Sequence, residues 1–119
     1  DPYQRLVSMV YIDDKFVNKE MLVSGWAYYK NRSQESSEVL LTATHESKAK
    51  KIGIFGSKCT QETNIIKPKC NIKGNNNFYH YHGCGQYNNT IVQLYLGVQW
   101  FCSIKEAEKA GYTKAQLCP

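Results

Sequence analysis

Short β-type segments and one short helix are predicted in the first part of the chain. Residues 5–12, RLVSMVYI, are rich in β-branched and aromatic types and run into the turn composition DDK, which predicts a strand leading into a hairpin. Asn18 is then expected to cap a helix over residues 19–24 that ends at Gly25. Residues 26–29, WAYY, predict a further short strand.

One longer helix and a linker are predicted next. The helix runs from about Ser37 to Ile52, with small or apolar residues at approximately helical spacing: Val39, Leu40, Ala43 and Ser47. The residues that follow are polar or glycine- and asparagine-rich and have little periodicity. Such a composition is typical of a linker, which we place at residues 57–69.

The last part of the chain predicts strands followed by a capped helix. Strands are expected at residues 78–81, around 90–96 and at 98–102. Ser103 and Glu106 then form an S-x-x-E capping box, and a glycine at position 111 is placed to close the helix. Together with the first part, this pattern predicts an α+β protein.

Charge and composition narrow the possible partners. The net charge is +5, and residues 45–75 carry a cluster of lysines: Lys48, Lys50, Lys51, Lys58, Lys67, Lys69 and Lys73. Such a cluster fits a phosphate-contacting surface and a plain solvated face equally well. No stretch approaches the roughly 18 to 20 apolar residues that a membrane span needs, so we expect no membrane partner.

The cysteines point to disulfides rather than to a metal. All five lie in the C-terminal half, and no CxxC pair occurs among them: Cys59, Cys70, Cys84, Cys102 and Cys118. Scattered cysteines in a short segment with few core residues are typical of an oxidising compartment. We therefore expect a secreted or cell-envelope protein.

The first half resembles the C-terminal part of the staphylococcal-nuclease (thermonuclease) domain. The resemblance covers about residues 1–56 and rests on YQRLVSMVYIDDKFVNKEMLVSGWAYY followed by LLTATHESKAKKIGIF. Phe55 stands where the family usually has tryptophan. The resemblance implies an OB-type barrel with helices and calcium-dependent cleavage of DNA and RNA phosphodiesters.

The same resemblance implies roles for individual residues. Arg5 matches the arginine that contacts the scissile phosphate, where a guanidinium offers two parallel donors and keeps its charge. Tyr3 matches a tyrosine of the nucleotide pocket, and Tyr28 and Tyr29 lie near the family's base-stacking tyrosines with shifted spacing. From the lysine cluster, Lys48 and Lys51 are added as candidate substrate-binding residues.

Other parts of the family's active site have no counterpart in this sequence. The calcium carboxylates, the catalytic glutamate and a first arginine lie on strands upstream of the matching segment, and Asp13 and Asp14 sit in the hairpin turn instead. We therefore expect a fragment whose partner is the missing N-terminal part of the domain. No calcium ligand is expected in this chain, and the chain alone is expected to be inactive.

The second half resembles a small cysteine module appended to bacterial thermonucleases, over about residues 70–119. This module in turn resembles the zinc-binding domain of the Ada-type alkyl-DNA repair protein. The alignment places His80 and Cys84 on the first two zinc ligands and Cys118 on the fourth, but Ala115 on the third. A structural zinc site needs four ligands, so no zinc is expected. Completion of a ligand set by Cys102 or His82 is the alternative.

The resemblance implies that Cys84 and Cys118, once joined through a metal, now form a disulfide. Cys59–Cys70 is the second expected pairing, and Cys70–Cys102 is its rival. With five cysteines, at least one is free or bonds elsewhere. His80 and His82 are then expected as a surface pair beside tyrosines.

These inferences combine into one hypothesis and one alternative. The hypothesis is a calcium-dependent nuclease reduced to its C-terminal portion, with an incomplete OB-fold over residues 1–56 and a disulfide-stapled α+β module over residues 70–119. The alternative is a non-catalytic module that binds nucleic acid or a cell-surface ligand through lysines and aromatic residues, namely Lys67, Lys69, Lys73, Tyr79, Tyr81, Tyr87 and Trp100. A second interpretation of these aromatic residues is that they fill a small core and do not bind a ligand.

Overall fold

The computed structural model describes residues 3–6, 8–30 and 37–119, with Ser37 described by its backbone alone. The chain divides into two compact units, Asp1–Gly56 and Ser57–Pro119. The protein is α+β with small sheets and two disulfides, and its first unit is consistent with an incomplete OB-type fold. Val7 of the predicted first strand lies outside the described residues, and so do residues 31–36, between the predicted strand at 26–29 and the long helix.

The first unit combines a small hairpin with two helices. Its elements are β1 Tyr11–Ile12, β2 Lys15–Phe16, α1 Val17–Val23, α2 Ser37–Ala49 and a 3-10 helix Gly53–Phe55. β1 and β2 are antiparallel, and Asp13 in the turn between them has a left-handed backbone, with φ 53°. A core of Leu22, Leu40 and Ala43 joins the two helices.

Asn18 has a different role from the predicted helix cap. Phe16 occupies the cap position of α1 and makes no side-chain cap bond. The Asn18 side chain instead accepts from the Val10 N–H at 2.8 Å and donates to the Ser8 carbonyl at 3.3 Å. An asparagine amide offers both a donor and an acceptor, so it binds an extended segment as a neighbouring strand would.

The predicted strands of this unit are shorter than expected. The first strand is assigned only at Tyr11–Ile12, and residues 27–30 are irregular rather than a strand. β-rich composition produces a strand only where a neighbour pairs with the backbone. The long helix also ends at Ala49, three residues before the predicted position.

Two glycines allow the chain segments after α1 and α2 to meet. Gly25 ends α1 as predicted, with φ 71°, and Gly53 has φ 58°. The Ile54 N–H donates to the Gly25 carbonyl at 2.9 Å. A Cβ at Gly53 would lie 2.2 Å from the Gly25 oxygen, closer than real Cβ contacts allow. The first unit therefore requires glycine at position 53, where the backbone passes close to Gly25.

Gly53→Ala is expected to destabilise the first unit by about 2 kcal/mol, because a backbone clash adds to left-handed strain. Gly97→Ala is the control, since Gly97 also has a positive φ (82°) but has nothing within 4 Å of a built Cβ; strain alone should cost about 1 kcal/mol there. Urea unfolding measures both costs, with Trp26 fluorescence in a Trp100→Phe background for the first unit and Trp100 fluorescence in a Trp26→Phe background for the second. Equal losses of stability in Gly53→Ala and Gly97→Ala would contradict the close approach of Gly53 to Gly25.

The second unit is built on a four-stranded sheet in the order β7-β4-β5-β8. The strands of this unit are β3 Thr60–Gln61, β4 Ile72–Asn75, β5 Phe78–His80, β6 Val92–Gln93, β7 Gln99–Phe101 and β8 Thr113–Lys114. A 3-10 helix, Leu94–Leu96, occupies the end of the predicted 90–96 strand. β4, β3 and β8 were not predicted, because each is very short or interrupted by glycine and asparagine.

The predicted capping box is confirmed in the last helix, α3 Ile104–Lys109. The Ser103 hydroxyl accepts from the Glu106 N–H at 3.1 Å, and the Glu106 carboxylate accepts from the Cys102 N–H at 2.8 Å. Gly111 follows the helix with φ 89°. One face of the sheet packs beneath this helix in a core of Ile72, Tyr79, Phe101 and Ala107.

The predicted linker lies inside the second unit. Residues 57–69 belong to that unit, and Thr60–Gln61 pair with Val92–Gln93. Gln61 is buried and accepts from the Trp100 indole N–H at 2.7 Å. Polar composition suggested a linker, but polar side chains here make internal hydrogen bonds.

The disulfides distinguish between the predicted pairings. Cys84–Cys118 is present, and so is Cys70–Cys102, the rival pairing. The expected Cys59–Cys70 bond is wrong, because β4 and β7 are neighbours in the sheet and bring Cys70 to Cys102. Cys59 is a free, half-buried thiol.

Candidate nucleic-acid interface

Arg5 and Tyr3, the two residues placed in the phosphate and nucleotide site, lie together. The Arg5 guanidinium carbon is 5.1 Å from the centroid of the Tyr3 ring, within cation–π range. Both side chains are exposed. An arginine guanidinium can donate to two oxygens of a phosphate at once, which is the contact expected of Arg5.

Tyr28 and Tyr29 have separate environments. Tyr28 is partly exposed, and the Lys30 ammonium lies 5.5 Å from its ring centroid. Tyr29 packs against the core of Leu22, Leu40 and Ala43. Tyr28 therefore presents a ring to solvent beside a cation, while Tyr29 contributes mainly to the core.

The two lysines of the candidate site lie at the end of α2. The Lys48 ammonium is 5.5 Å from the ring of buried Phe55. Lys51 is exposed in the turn after the helix, with φ 52°. Both cations are at the surface of the first unit, where a phosphate group could approach them.

The residues present do not fit a calcium ion. Calcium takes roughly six to eight oxygen ligands. Within the described parts of the chain, no group of three or more acidic, histidine or cysteine side chains is placed to hold a metal. Asp13 and Asp14 lie in the β1–β2 turn, as the sequence predicted.

The second unit does not present its lysine and aromatic residues as one binding surface. Lys73 pairs with Trp100 on one neighbouring strand and with His80 on the other. Directly opposite residues share a face of the sheet, so these three form one row. Lys73 is only 2% exposed, and Tyr79 and Tyr87 are buried as well. The core-filling interpretation of these aromatics is confirmed.

Lys73 is held by backbone carbonyls and aromatic rings. Its ammonium donates to the Tyr87 carbonyl at 3.0 Å and to the Thr90 carbonyl at 2.7 Å. The centroids of the Tyr87 and Trp100 rings lie 4.3 Å and 5.6 Å from the same nitrogen. Burial lowers the pKa of Lys73, and the nearby carboxylate of Glu62 opposes this shift. This burial was not predicted from the sequence, because isolated lysines are normally exposed.

The residues that the sequence alignment placed on zinc ligands form a disulfide or are buried. Cys84 and Cys118 are bonded to each other, so neither sulfur is a free thiolate. His80 is buried, which corrects its expected place on the surface, while His82 is exposed with its ring centroid 4.2 Å from that of Tyr87. Among the residues that the structure describes, the buried Nδ1 of His80 has no hydrogen-bond partner. Burial first, and the charge of Lys73 second, lower the pKa of His80.

We expect the second unit to lose stability as the pH falls below about 6.5, the ordinary pKa of histidine. The folded-state pKa is lowered, so the unfolded chain takes up a proton that buried His80 does not, until the pH reaches that lowered value. His80→Phe should make this dependence shallower. Urea unfolding at several pH values, followed by Trp100 fluorescence in a Trp26→Phe background, measures it. An unchanged pH dependence in His80→Phe would contradict the assignment.

Two structural features bear on the compartment. None of the helices in the described ranges has the length and apolar character to cross a bilayer. The two disulfides are compatible with an extracellular location.

Comparison with known proteins identifies the first unit. Residues 1–57 match the family model described as staphylococcal nuclease homologue. Searches of curated proteins and of solved structures found no match. The resemblance of residues 70–119 to a zinc module has no support from these comparisons. Residues 1–57, at the N-terminal end of the chain, are therefore similar to the staphylococcal nuclease family.

Proposed function

We propose that the first unit is the C-terminal part of a calcium-dependent nuclease domain that hydrolyses DNA and RNA phosphodiester bonds. The family match over residues 1–57 carries this proposal. A second observation supports it: the segment leading into β1 exposes apolar side chains, among them Leu6 at 98% and Ile12 at 62%. A domain completed by further strands would cover such residues.

In this proposal, each candidate residue handles the polynucleotide rather than the metal. Arg5 donates to the scissile phosphate and stabilises the charge that develops on its oxygens. Tyr3 orients the guanidinium, and Tyr28 offers a ring on which a base can stack. Lys48 and Lys51 contact neighbouring phosphates. The calcium ion, which would polarise the phosphate, and the general base belong to a segment that supplies the missing carboxylates.

The second unit supports the nuclease as a stapled module without zinc in this proposal. Its disulfides fit secretion or the cell envelope. The alternative, in which this unit grips nucleic acid, is weakened by the burial of Lys73, Tyr79 and Tyr87. Zinc resistant to dialysis in the purified chain would contradict the module's proposed metal-free state.

Binding of a fluorescently labelled single-stranded oligonucleotide to the 119-residue chain tests the phosphate contact. We expect weak binding whose affinity falls with salt, as for any contact that releases counterions. Arg5→Ala should weaken binding by about fivefold to tenfold, the order of one charge-assisted contact. Lys109→Ala, which removes an exposed cation of α3 in the second unit, is the matched control. Equal losses in both variants would indicate general electrostatic attraction and no site at Arg5.

A further inference from the structure

The second unit contains an exposed loop with an unusual tip, residues 64–69, which we call the NIIKPK loop after its sequence. At its tip two adjacent isoleucines face solvent, with Ile65 59% and Ile66 72% exposed. Lys67 and Lys69 follow directly and are also exposed. The loop therefore combines an aliphatic tip with two cations next to it.

The loop is held in shape by its own hydrogen bonds. The Asn64 side chain accepts from the Lys67 N–H at 2.9 Å and donates to the Cys70 carbonyl at 2.9 Å. The Cys70 N–H donates to the Lys67 carbonyl at 2.8 Å, which closes a turn with Pro68 in its second position. Proline favours that position because its φ is already fixed.

The disulfide adds an anchor at the end of the loop. Cys70 is bonded to Cys102, the residue after β7, so the loop begins and ends on the folded unit. A braced loop loses little conformational entropy when it binds, so its apolar tip contributes more fully to affinity. Two neighbouring exposed isoleucines in a shape fixed in this way favour insertion into an apolar partner.

The chemistry of the tip distinguishes between anionic partners. Single-stranded nucleic acid binds through lysines together with aromatic rings on which bases stack. The tip has no aromatic residue, and an aliphatic pair offers no such stacking. A bilayer with anionic headgroups matches both parts: aliphatic side chains enter the boundary with the acyl chains, and lysines approach lipid phosphates.

We propose that the NIIKPK loop is a membrane-surface anchor, which inserts Ile65 and Ile66 into the interfacial region of an anionic bilayer. Lys67 and Lys69 contact the headgroup phosphates. The absence of a spanning segment in the sequence led us to expect no membrane partner, but surface attachment requires no span. The loop belongs to the second unit, whereas the candidate nuclease residues belong to the first.

Co-sedimentation of the 119-residue chain with vesicles tests this proposal. The vesicles are phosphatidylcholine alone, or phosphatidylcholine mixed with phosphatidylglycerol. We expect binding to the mixed vesicles, at least about tenfold weaker in Ile65→Ser/Ile66→Ser because the inserted apolar area is lost. Lys67→Gln/Lys69→Gln should lower affinity for the mixed vesicles by about tenfold and abolish the preference over neutral ones. Leu117→Ser removes a similarly exposed side chain (60%) outside the loop and should bind as the unmodified chain does.

Several outcomes would overturn the proposal. These are no binding to mixed vesicles, unchanged binding by the isoleucine variant, or an equal loss in the Leu117→Ser control. Binding to neutral vesicles as strong as to mixed ones would exclude the lysine contacts. Weaker oligonucleotide binding by the isoleucine variant, with vesicle binding unchanged, would assign the loop to nucleic acid instead. Circular dichroism and Trp100 fluorescence verify that each variant is folded.

Discussion

Lys73→Met is expected to lower the free energy of unfolding of the second unit by about 3 kcal/mol, the order found when bonds from a charged donor are lost and their acceptors stay buried. Methionine keeps the apolar stem and a similar length, so the change removes the ammonium with little change in packing. The Thr90 carbonyl then loses the ammonium donor, and the Tyr87 carbonyl loses it as well but keeps a longer bond from the Thr90 N–H at 3.3 Å.

The ammonium of Lys73 also carries a cost, which its surroundings must offset. Burial lowers the pKa of Lys73 because the charged form leaves water. Two carbonyl acceptors and two ring faces compensate for that lost hydration. The contribution of Lys73 to stability therefore depends on these partners remaining in place. When the cation alone is removed, the two carbonyls lose its hydrogen bonds.

Urea unfolding in a Trp26→Phe background, followed by Trp100 fluorescence, measures this cost in the second unit. Lys69→Met is the matched control, since Lys69 is exposed in the same unit and no effect beyond about 0.5 kcal/mol is expected there. A Lys73→Met variant as stable as the Lys69→Met control would mean that the buried ammonium contributes nothing to the fold.

Local signals predicted those parts of the fold that depend on neighbouring residues in the sequence. The capping box of Ser103 and Glu106 and the helix-ending Gly25 act within one helical turn, so their residue types are sufficient to place them. The hairpin turn at Asp13 belongs to the same class. The α+β class followed from these elements.

Other features depend on residues distant in sequence, and the sequence did not reveal them. Asn18 was expected to act on its own helix, but its amide binds the backbone of Ser8 and Val10. Lys73 and His80 are buried, and the carbonyl acceptors of Lys73 come from Tyr87 and Thr90, which only the folded chain brings to it. Strand pairing likewise selects Cys102 as the partner of Cys70.

The candidate site was predicted from a family resemblance. The structure adds the positions of some of its side chains. Tyr3 and Arg5 are in contact, whereas Tyr29 belongs largely to the core. The exposed apolar tip of the NIIKPK loop could have been noticed from two isoleucines followed by lysines. Its significance came only from its exposure and its bracing hydrogen bonds.

Under the proposed function, Arg5→Lys is expected to lower the rate of nuclease turnover by about a hundredfold or more, comparable to the loss of one preorganised donor. The rate is measured in a protein that joins this chain to a segment with the calcium carboxylates and the general base. Lysine keeps the positive charge but lacks the planar fork that donates to two phosphate oxygens at once, so the substitution tests geometry rather than charge. Lys15→Arg, a charge-preserving change in β2, is the control and should leave turnover unchanged. Circular dichroism verifies that both variants fold.

The most direct test is calcium-dependent hydrolysis of single-stranded DNA, measured for the 119-residue chain alone and for a protein in which a segment with the family's calcium carboxylates and general base is joined to it. We predict no cleavage by the 119-residue chain in millimolar calcium, cleavage by the joined protein, and a loss of about a hundredfold in the Arg5→Lys variant of the joined protein. Cleavage by the 119-residue chain, or a folded Arg5→Lys variant that cuts at the unmodified rate, would contradict the assignment of the first unit as the phosphate-contacting part of a nuclease.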